Sequence, residues 1–279
     1  MESPVHEDGH ALARLPADEI LRRLDRALEQ HASGVPHASD AARAAPVLAT
    51  DADCTLWDGD VGVDLFEALL EARAARPEAF DALRREAADF GIDAGEDAHA
   101  AASALYAAFQ AERYPEERAF PMMAWAFAGF REDELAAFVD HVLTTKNLEA
   151  RIRPGMVAVV GWARQKGLDL WVVSASPRAA VERGVSRIGV PAERVLAMTP
   201  RVEGGVLQPE LAAPATYGDG KVQALERALP RLDLLAAFGD SAYDAAMLRA
   251  ARVPVALTPS PKLLALSSTL PGLSILIER

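Results

Sequence analysis

Asp51 and Asp53 stand two residues apart at the end of the short apolar run Pro46-Val-Leu-Ala-Thr50. An apolar run that stops at acids reads as a buried parallel strand ending at a loop. Asp240 and Asp244 follow a second such run, 234–238, and Ser174 and Ser176 follow a third, 168–173. Lys221 opens a helical pattern and is preceded by Gly218-Asp219-Gly220. Open α/β sheets gather their functional groups outside the carboxyl ends of the strands. If the three runs lie in one sheet, several carboxylates, a hydroxyl and a lysine meet at one edge.

Each of these groups suits phosphoryl transfer. Magnesium takes hard oxygen ligands, usually one or two carboxylates with phosphate and water completing the shell, and Asp51 and Asp240 offer them. A carboxylate can also attack phosphorus and form an aspartyl phosphate. Attack of one anion on another needs its charge neutralised, a task for a metal ion and for Lys221 as a compact point charge. Ser174 can donate to a phosphate oxygen. Asp53 can protonate the leaving oxygen and then activate water.

The elements that must position these groups are legible in the pattern. From 152 onward, helical spacing at 155–166, 177–188, 221–229, 241–251 and 262–267 alternates with strand-like runs at 168–173, 195–198, 234–238, 253–256 and 274–277. Such alternation implies a right-handed, doubly wound parallel sheet with helices on both faces. Residues 201–211, with Gly204-Gly205, read as a hairpin. Residues 61–147 differ: Leu65, Leu69, Leu70, then Phe80, Leu83, Ala87, then Leu105, Ala108, Phe109 keep helical spacing between Pro and Gly breaks. Four or five helices and no strand are expected there. Upstream, 1–15 read as weakly ordered, Pro16 opens a helix with Ile20, Leu21, Leu24 and Leu28 on one face, and 31–45 read as a linker. The division expected is an N-terminal extension over 1–45, an α/β core over 46–58 and 148–279, and a helical cap over 59–147.

Composition narrows the class of partner. The chain has 279 residues, 51 % of them hydrophobic, which is enough for a sizeable core. A net charge of −12 argues against nucleic acid, which needs a basic footprint. The longest apolar runs, such as 156–160, are far short of the about 20 residues a membrane span requires. Met1 to Asp18 carry acids and no apolar stretch of a secretory signal, so a cytoplasmic location is expected. Cys54 is the single cysteine, which excludes an intrachain disulfide and thiolate-rich zinc sites. The six histidines fall in 1–45 or the cap, where none is placed for a Ser-His-Asp triad.

Four motifs then resemble one family. Asp51-Ala-Asp53-Cys-Thr55-Leu-Trp57 resembles the D-x-D-x-T motif of the haloacid dehalogenase superfamily, and Val172-Val-Ser174-Ala175-Ser-Pro its apolar strand ending in Ser or Thr. Gly220-Lys221-Val resembles the third motif's lysine, and Gly239-Asp240-Ser-Ala-Tyr-Asp244 the fourth motif, G-D-S-x-x-D. They occur in order and cover about 47–257. The resemblance implies a Rossmann-like core with an inserted helical cap. It implies Asp51 as nucleophile and magnesium ligand, and Asp53 as general acid/base with its carbonyl on the metal. Thr55 would hold the loop, Ser174, Ala175 and Lys221 the phosphate, Asp240 the magnesium, and Asp244 the magnesium directly or through water. Members with an acid at the Asp53 position are phosphatases and phosphomutases rather than dehalogenases. A helical cap between the first two motifs is similar to the phosphoserine phosphatase-like members, as is Ala128-Gly-Phe-Arg-Glu-Asp-Glu-Leu135. Cys54 replaces their common Gly or Ser, Tyr243 replaces their Asn, and this cap is longer.

The function expected is a magnesium-dependent phosphomonoesterase acting on a small phosphorylated metabolite, with an amine-bearing ester such as phosphoserine or phosphocholine in view. A phosphotransferase or mutase of the same fold, or a phosphate-ligand sensor without turnover, are the alternatives. Asp60 and Trp57 are the candidate substrate residues: Asp60 either meets an ammonium or caps a helix N-terminus. The aromatics of the cap either cage a trimethylammonium or form the bundle core. Ser176 reads as a helix N-cap before Pro177.

Overall fold

The computed structural model describes residues 12–33 and 45–278. Its main sheet has seven strands, β1 (Ala13–Leu15), β2 (Val47–Thr50), β3 (Leu170–Pro177), β4 (Val195–Met198), β7 (Leu234–Gly239), β8 (Val253–Leu257) and β9 (Ser274–Leu276). Their spatial order is β1-β9-β8-β7-β2-β3-β4, and every pairing is parallel. β2 and β7 are buried at every position, as parallel strands covered on both faces must be. The chain leaves β2 for β3 on one side and later returns to β7 on the other. The strand order therefore reverses beside β2, and a crevice opens there at the carboxyl ends.

The helices of the core are α1 (Ala17–Ser33), α7 (Leu148–Arg151), α8 (Pro154–Lys166), α9 (Arg178–Ser186), α10 (Asp219–Ala228), α11 (Ala245–Ala250) and α12 (Pro261–Ala265). Between β2 and β3 lie five more: α2 (Val61–Glu71), α3 (Pro77–Asp89), α4 (Ala98–Gln110), α5 (Glu116–Trp125) and α6 (Glu132–Thr145). These agree with the helical insertion the sequence implies. The antiparallel hairpin of β5 (Pro200–Glu203) and β6 (Val206–Leu211) packs on them. Backbone bonds from Gly129 to Leu207 and from Leu207 to Phe130, both 2.9 Å, tie it to the segment between α5 and α6.

Most cap aromatics form the bundle core. Tyr114, Trp125, Phe127 and Phe130 are buried, and Phe127 packs edge-on to Phe130 with centroids 5.6 Å apart. Met122 and Met123 are buried in the same bundle. The two crossings between core and cap are laced together. Asp58 N donates to Arg151 O, Arg153 N to Leu56 O, and the Arg151 guanidinium bonds Asp58 O and Asp64.

The N-terminal segment departs from expectation. Ala13–Leu15, expected to be weakly ordered, extends the sheet by pairing with β9. α1 lies on the sheet with Ile20 and Leu24 fully buried, and Trp162 Nε1 donates to Asp25 at 3.1 Å. A three-residue strand has too little pattern to be read locally; it exists because β9 offers a free edge. The expected linker 31–45 begins inside α1, and 1–11 and 34–44 lie outside the described residues.

Candidate active site

β2 delivers Asp51 to the floor of the crevice, where it is 6 % exposed. Its backbone N–H donates to Phe238 O of β7, and the Thr50 hydroxyl to Asp51 O, so the residue is fixed from both sides. The chain then turns at Cys54 in the left-handed region, with φ 56°. That conformation is unfavourable for a non-glycine residue and bends the loop so that Asp53 returns under α2.

Lys221, from the first turn of α10, is 3 % exposed. Its ammonium donates to Asp51 Oδ1 at 2.7 Å and to Asp244 Oδ1 at 2.6 Å. Asp244 Oδ2 accepts from Asp240 N, Ser241 N and Ser241 Oγ at 3.0–3.1 Å. Both oxygens of Asp244 are thus in use: it closes the loop after β7 and aims Lys221. Gly239 permits this, since a Cβ there would meet Asp244 Cβ at 2.5 Å. Asp240 receives the Thr55 hydroxyl at 3.4 Å.

Oxygens of Asp51, Asp240 and Asp244 lie within 4.8 Å of one another. Three carboxylates face the single ammonium of Lys221, so negative charge is in excess. Asp240 is consequently raised to about 7 by burial and by Asp244. Burial also pushes Asp51 upward, with its acidic neighbours acting in the same sense and Lys221 against them. Hard oxygen donors with uncompensated negative charge fit a divalent cation such as magnesium, which would favour the ionised forms. Asp51 and Asp240 have oxygens to offer it. Asp244, whose oxygens also accept from Lys221 and the loop after β7, would reach it directly or through water.

Asp53 is anchored by four donors, three of them at 2.9 Å or less. Trp57 Nε1 reaches Oδ1 at 2.9 Å, Val61 N reaches it at 2.7 Å, and Ser176 Oγ reaches Oδ2 at 2.6 Å. Ser174 Oγ stands 3.4 Å from Oδ2 and accepts from Ser176 N at 3.0 Å. Both serines belong to β3, which runs on through Pro177 instead of stopping at 173. Two residues apart in one strand, they share a face. Ser176 is therefore not the helix cap the sequence suggested: α9 has no side-chain cap. It lines the cavity beside Ala175, whereas Ser174 is fully buried behind it. Gly62 leaves room for this contact, since a Cβ there would sit 2.4 Å from Ser176 Oγ.

The cavity above these groups measures about 440 Å³. Asp51, Asp53, Asp60, Lys221 and Asp240 line it, as do Glu116 and Phe120 of α5, Tyr217 and Tyr243. Asp60 caps α2 by accepting from Val63 N at 2.8 Å and is pushed up to about 8 by burial and the charge of Asp53. Its two expected roles, cap and cavity acid, coexist. Trp57 was expected to touch substrate; it is instead fully enclosed, its ring against Gly184 and its N–H on Asp53. Cys54 lines the cavity, but burial and surrounding acids push its thiol up to about 12, so it is no nucleophile near neutral pH. Glu116 and Tyr217 carry no motif; only their convergence in space marks them.

Residues 48–249 match the haloacid dehalogenase-like hydrolase family. The chain belongs to that family. No curated protein matches it significantly. A protein of unknown function from Bordetella pertussis Tohama I is similar in structure, with TM-score 0.65 and 20 % identity, over 84 % of this chain and 99 % of that one. A conserved, functionally unknown protein from Anaerococcus prevotii DSM 20548 gives TM-score 0.64 and 15 % identity, over 93 % and 90 %. A probable phosphoserine phosphatase from Vibrio cholerae, unliganded, gives TM-score 0.51 and 14 % identity, over 79 % and 58 %. At these identities the likeness is one of fold.

Proposed function

We propose that this hydrolase is a magnesium-dependent phosphomonoesterase in which Asp51 is transiently phosphorylated. The observation that carries the reading is Asp51 itself: a buried carboxylate at a parallel strand end, held by Lys221 at 2.7 Å and opening on a cavity that Asp53 also lines. Asp51 attacks phosphorus, the ester P–O bond breaks, and the leaving oxygen takes a proton from Asp53. Asp53 then takes a proton from water as that water attacks the aspartyl phosphate, which releases phosphate and restores Asp51. Lys221 neutralises charge on the transferring group. Ser176 and the backbone at Ala175 line the place where its oxygens would lie. Ser174, expected to hold phosphate directly, would act from behind by fixing Ser176 and Asp53. Magnesium, held by Asp51 and Asp240, would polarise the phosphoryl group.

Attachment of α2 directly to Asp53, through Val61 N, makes the acid/base sensitive to how the cap sits on the core. Amine-bearing esters fit the acids of the cavity better than anionic alcohols do. The test is release of inorganic phosphate from a panel of phosphorylated metabolites and p-nitrophenyl phosphate, with magnesium and with EDTA. Magnesium-dependent release is expected; transfer of the phosphoryl group to added alcohols without release would favour a phosphotransferase instead.

A further inference from the structure

Phe120, Tyr217 and Tyr243 line the cavity as a continuous aromatic wall. Phe120 and Tyr217 have centroids 5.8 Å apart, and Tyr217 and Tyr243 4.3 Å apart. All three are only half-buried, which leaves ring surface toward the cavity. Beside them stands Glu116, half-buried, with the Tyr217 hydroxyl 3.4 Å from Oε2. Among the described residues no lysine or arginine pairs with it. Asp60 adds a second acid to the same cavity. The cations of the lining are Lys221, bound to Asp51 and Asp244, and the exposed Lys262 at the rim.

Charge and surface type together select a leaving group. Anionic alcohols meet the carboxylate of Glu116, which no lysine or arginine among the described residues offsets, and are disfavoured. Sugars need convergent donors and acceptors, and rings offer few. A primary ammonium wants three hydrogen-bond acceptors converging on it, whereas Phe120, Tyr217 and Tyr243 present mainly ring surface to the cavity. A methylated ammonium wants none: it presents positive C–H surface, which aromatic faces attract. We propose that the cavity takes phosphate monoesters whose alcohol carries a methylated ammonium group, with Phe120, Tyr217 and Tyr243 facing the cation and Glu116 balancing its charge. This rests on the phosphomonoesterase reading and names its substrate class. Phe120 and Glu116 come from α5 of the cap, Tyr217 and Tyr243 from the core loops that carry Lys221 and Asp240. The cage is complete only with the cap seated on the core, so binding the cation and assembling the reaction site are one event.

The experiment compares kcat/KM for phosphocholine and for 3,3-dimethylbutyl phosphate, in which a tert-butyl group replaces the trimethylammonium at nearly the same shape. The charged ester is expected to be favoured by about tenfold or more. Glu116→Gln and Tyr217→Leu should each bring the ratio toward one. Equal rates for the two esters in the unaltered protein overturn the proposal. So does hydrolysis of p-nitrophenyl phosphate alone, which leaves the phosphatase standing. If magnesium, manganese and cobalt support hydrolysis of none of the three, the phosphatase reading itself fails. A measurement without turnover then decides the cation site: thermal stabilisation by choline but not by 3,3-dimethylbutanol supports it, and stabilisation by neither overturns it.

Discussion

Replacing Lys221 by Met removes one charge from a buried cluster while nearly keeping side-chain volume. Lys221 is 3 % exposed and its ammonium is shared by Asp51 and Asp244 at 2.7 and 2.6 Å. Removing one partner of a buried ion pair typically costs about 3–5 kcal/mol, because the other charge is left uncompensated. At about 2–4 °C per kcal/mol for domains approaching this size, the Tm should fall by about 6–20 °C. The loss must depend on pH. The orphaned carboxylates can escape the penalty by binding protons, so the deficit should be small at pH 5 and full at pH 8 in EDTA. Lost packing would give the same deficit at both. Differential scanning calorimetry at the two pH values reads this directly. Turnover of an aryl phosphate should fall by about 10²–10³, the usual effect of losing one preorganised charge-stabilising donor. A deficit equal at both pH values, or turnover within a few-fold of the unaltered protein, would refute the electrostatic role given to Lys221.

Three further perturbations have definite outcomes. Burial and the charge of Asp244 push Asp240 up to about 7 in the folded protein, above the ordinary carboxylate range; the unfolded chain therefore loses this proton first, and stability falls as pH rises from about 4 through 7. Metal-free protein should accordingly lose Tm between pH 5 and 8, with magnesium restoring it mainly at the upper end; a flat profile contradicts the charge excess. Gly62→Ala places a Cβ 2.4 Å from Ser176 Oγ while improving helix propensity by up to about 1 kcal/mol. Its kcat should drop about tenfold or more at nearly unchanged Tm, and unchanged kcat would remove Ser176 from the support of Asp53. Leu24→Ala, at a fully buried position of α1, should destabilise by about 2–5 kcal/mol; a near-neutral effect on the denaturation midpoint would mean α1 is not part of the core.

The strands that carry the chemistry were readable because each ends an apolar run abruptly at polar residues. That rule located Asp51, Asp240 and the Ser174–Ser176 pair, and the parallel sheet then brought them together with Lys221. It also set the limit of the reading. Nothing in the local pattern told Ser174 from Ser176, because the division depends on β3 continuing to Pro177 and on α2 crossing it at Gly62. Trp57 follows the Asp51–Asp53 loop, but its destination, enclosed against Gly184 with its N–H on Asp53, is a matter of packing at long range. Ala13–Leu15 gains its strand only from the edge of β9. The aromatic wall is the clearest case: 120, 217 and 243 have no spacing that relates them, and only the seating of α5 over two core loops makes them neighbours.

The most direct test of the central claim is to find the phosphoryl group on Asp51. In the Asp53→Asn variant with magnesium and p-nitrophenyl phosphate, the nitrophenolate leaves without needing a proton, whereas attack by water lacks its base. The covalent form should therefore accumulate. Acid quenching followed by peptide mass spectrometry should show one phosphoryl group on the peptide that contains Asp51, lost when Asp51→Asn is added. Phosphorylation at Ser176 or elsewhere, or release of nitrophenolate that persists in Asp51→Asn, would contradict Asp51 as the nucleophile.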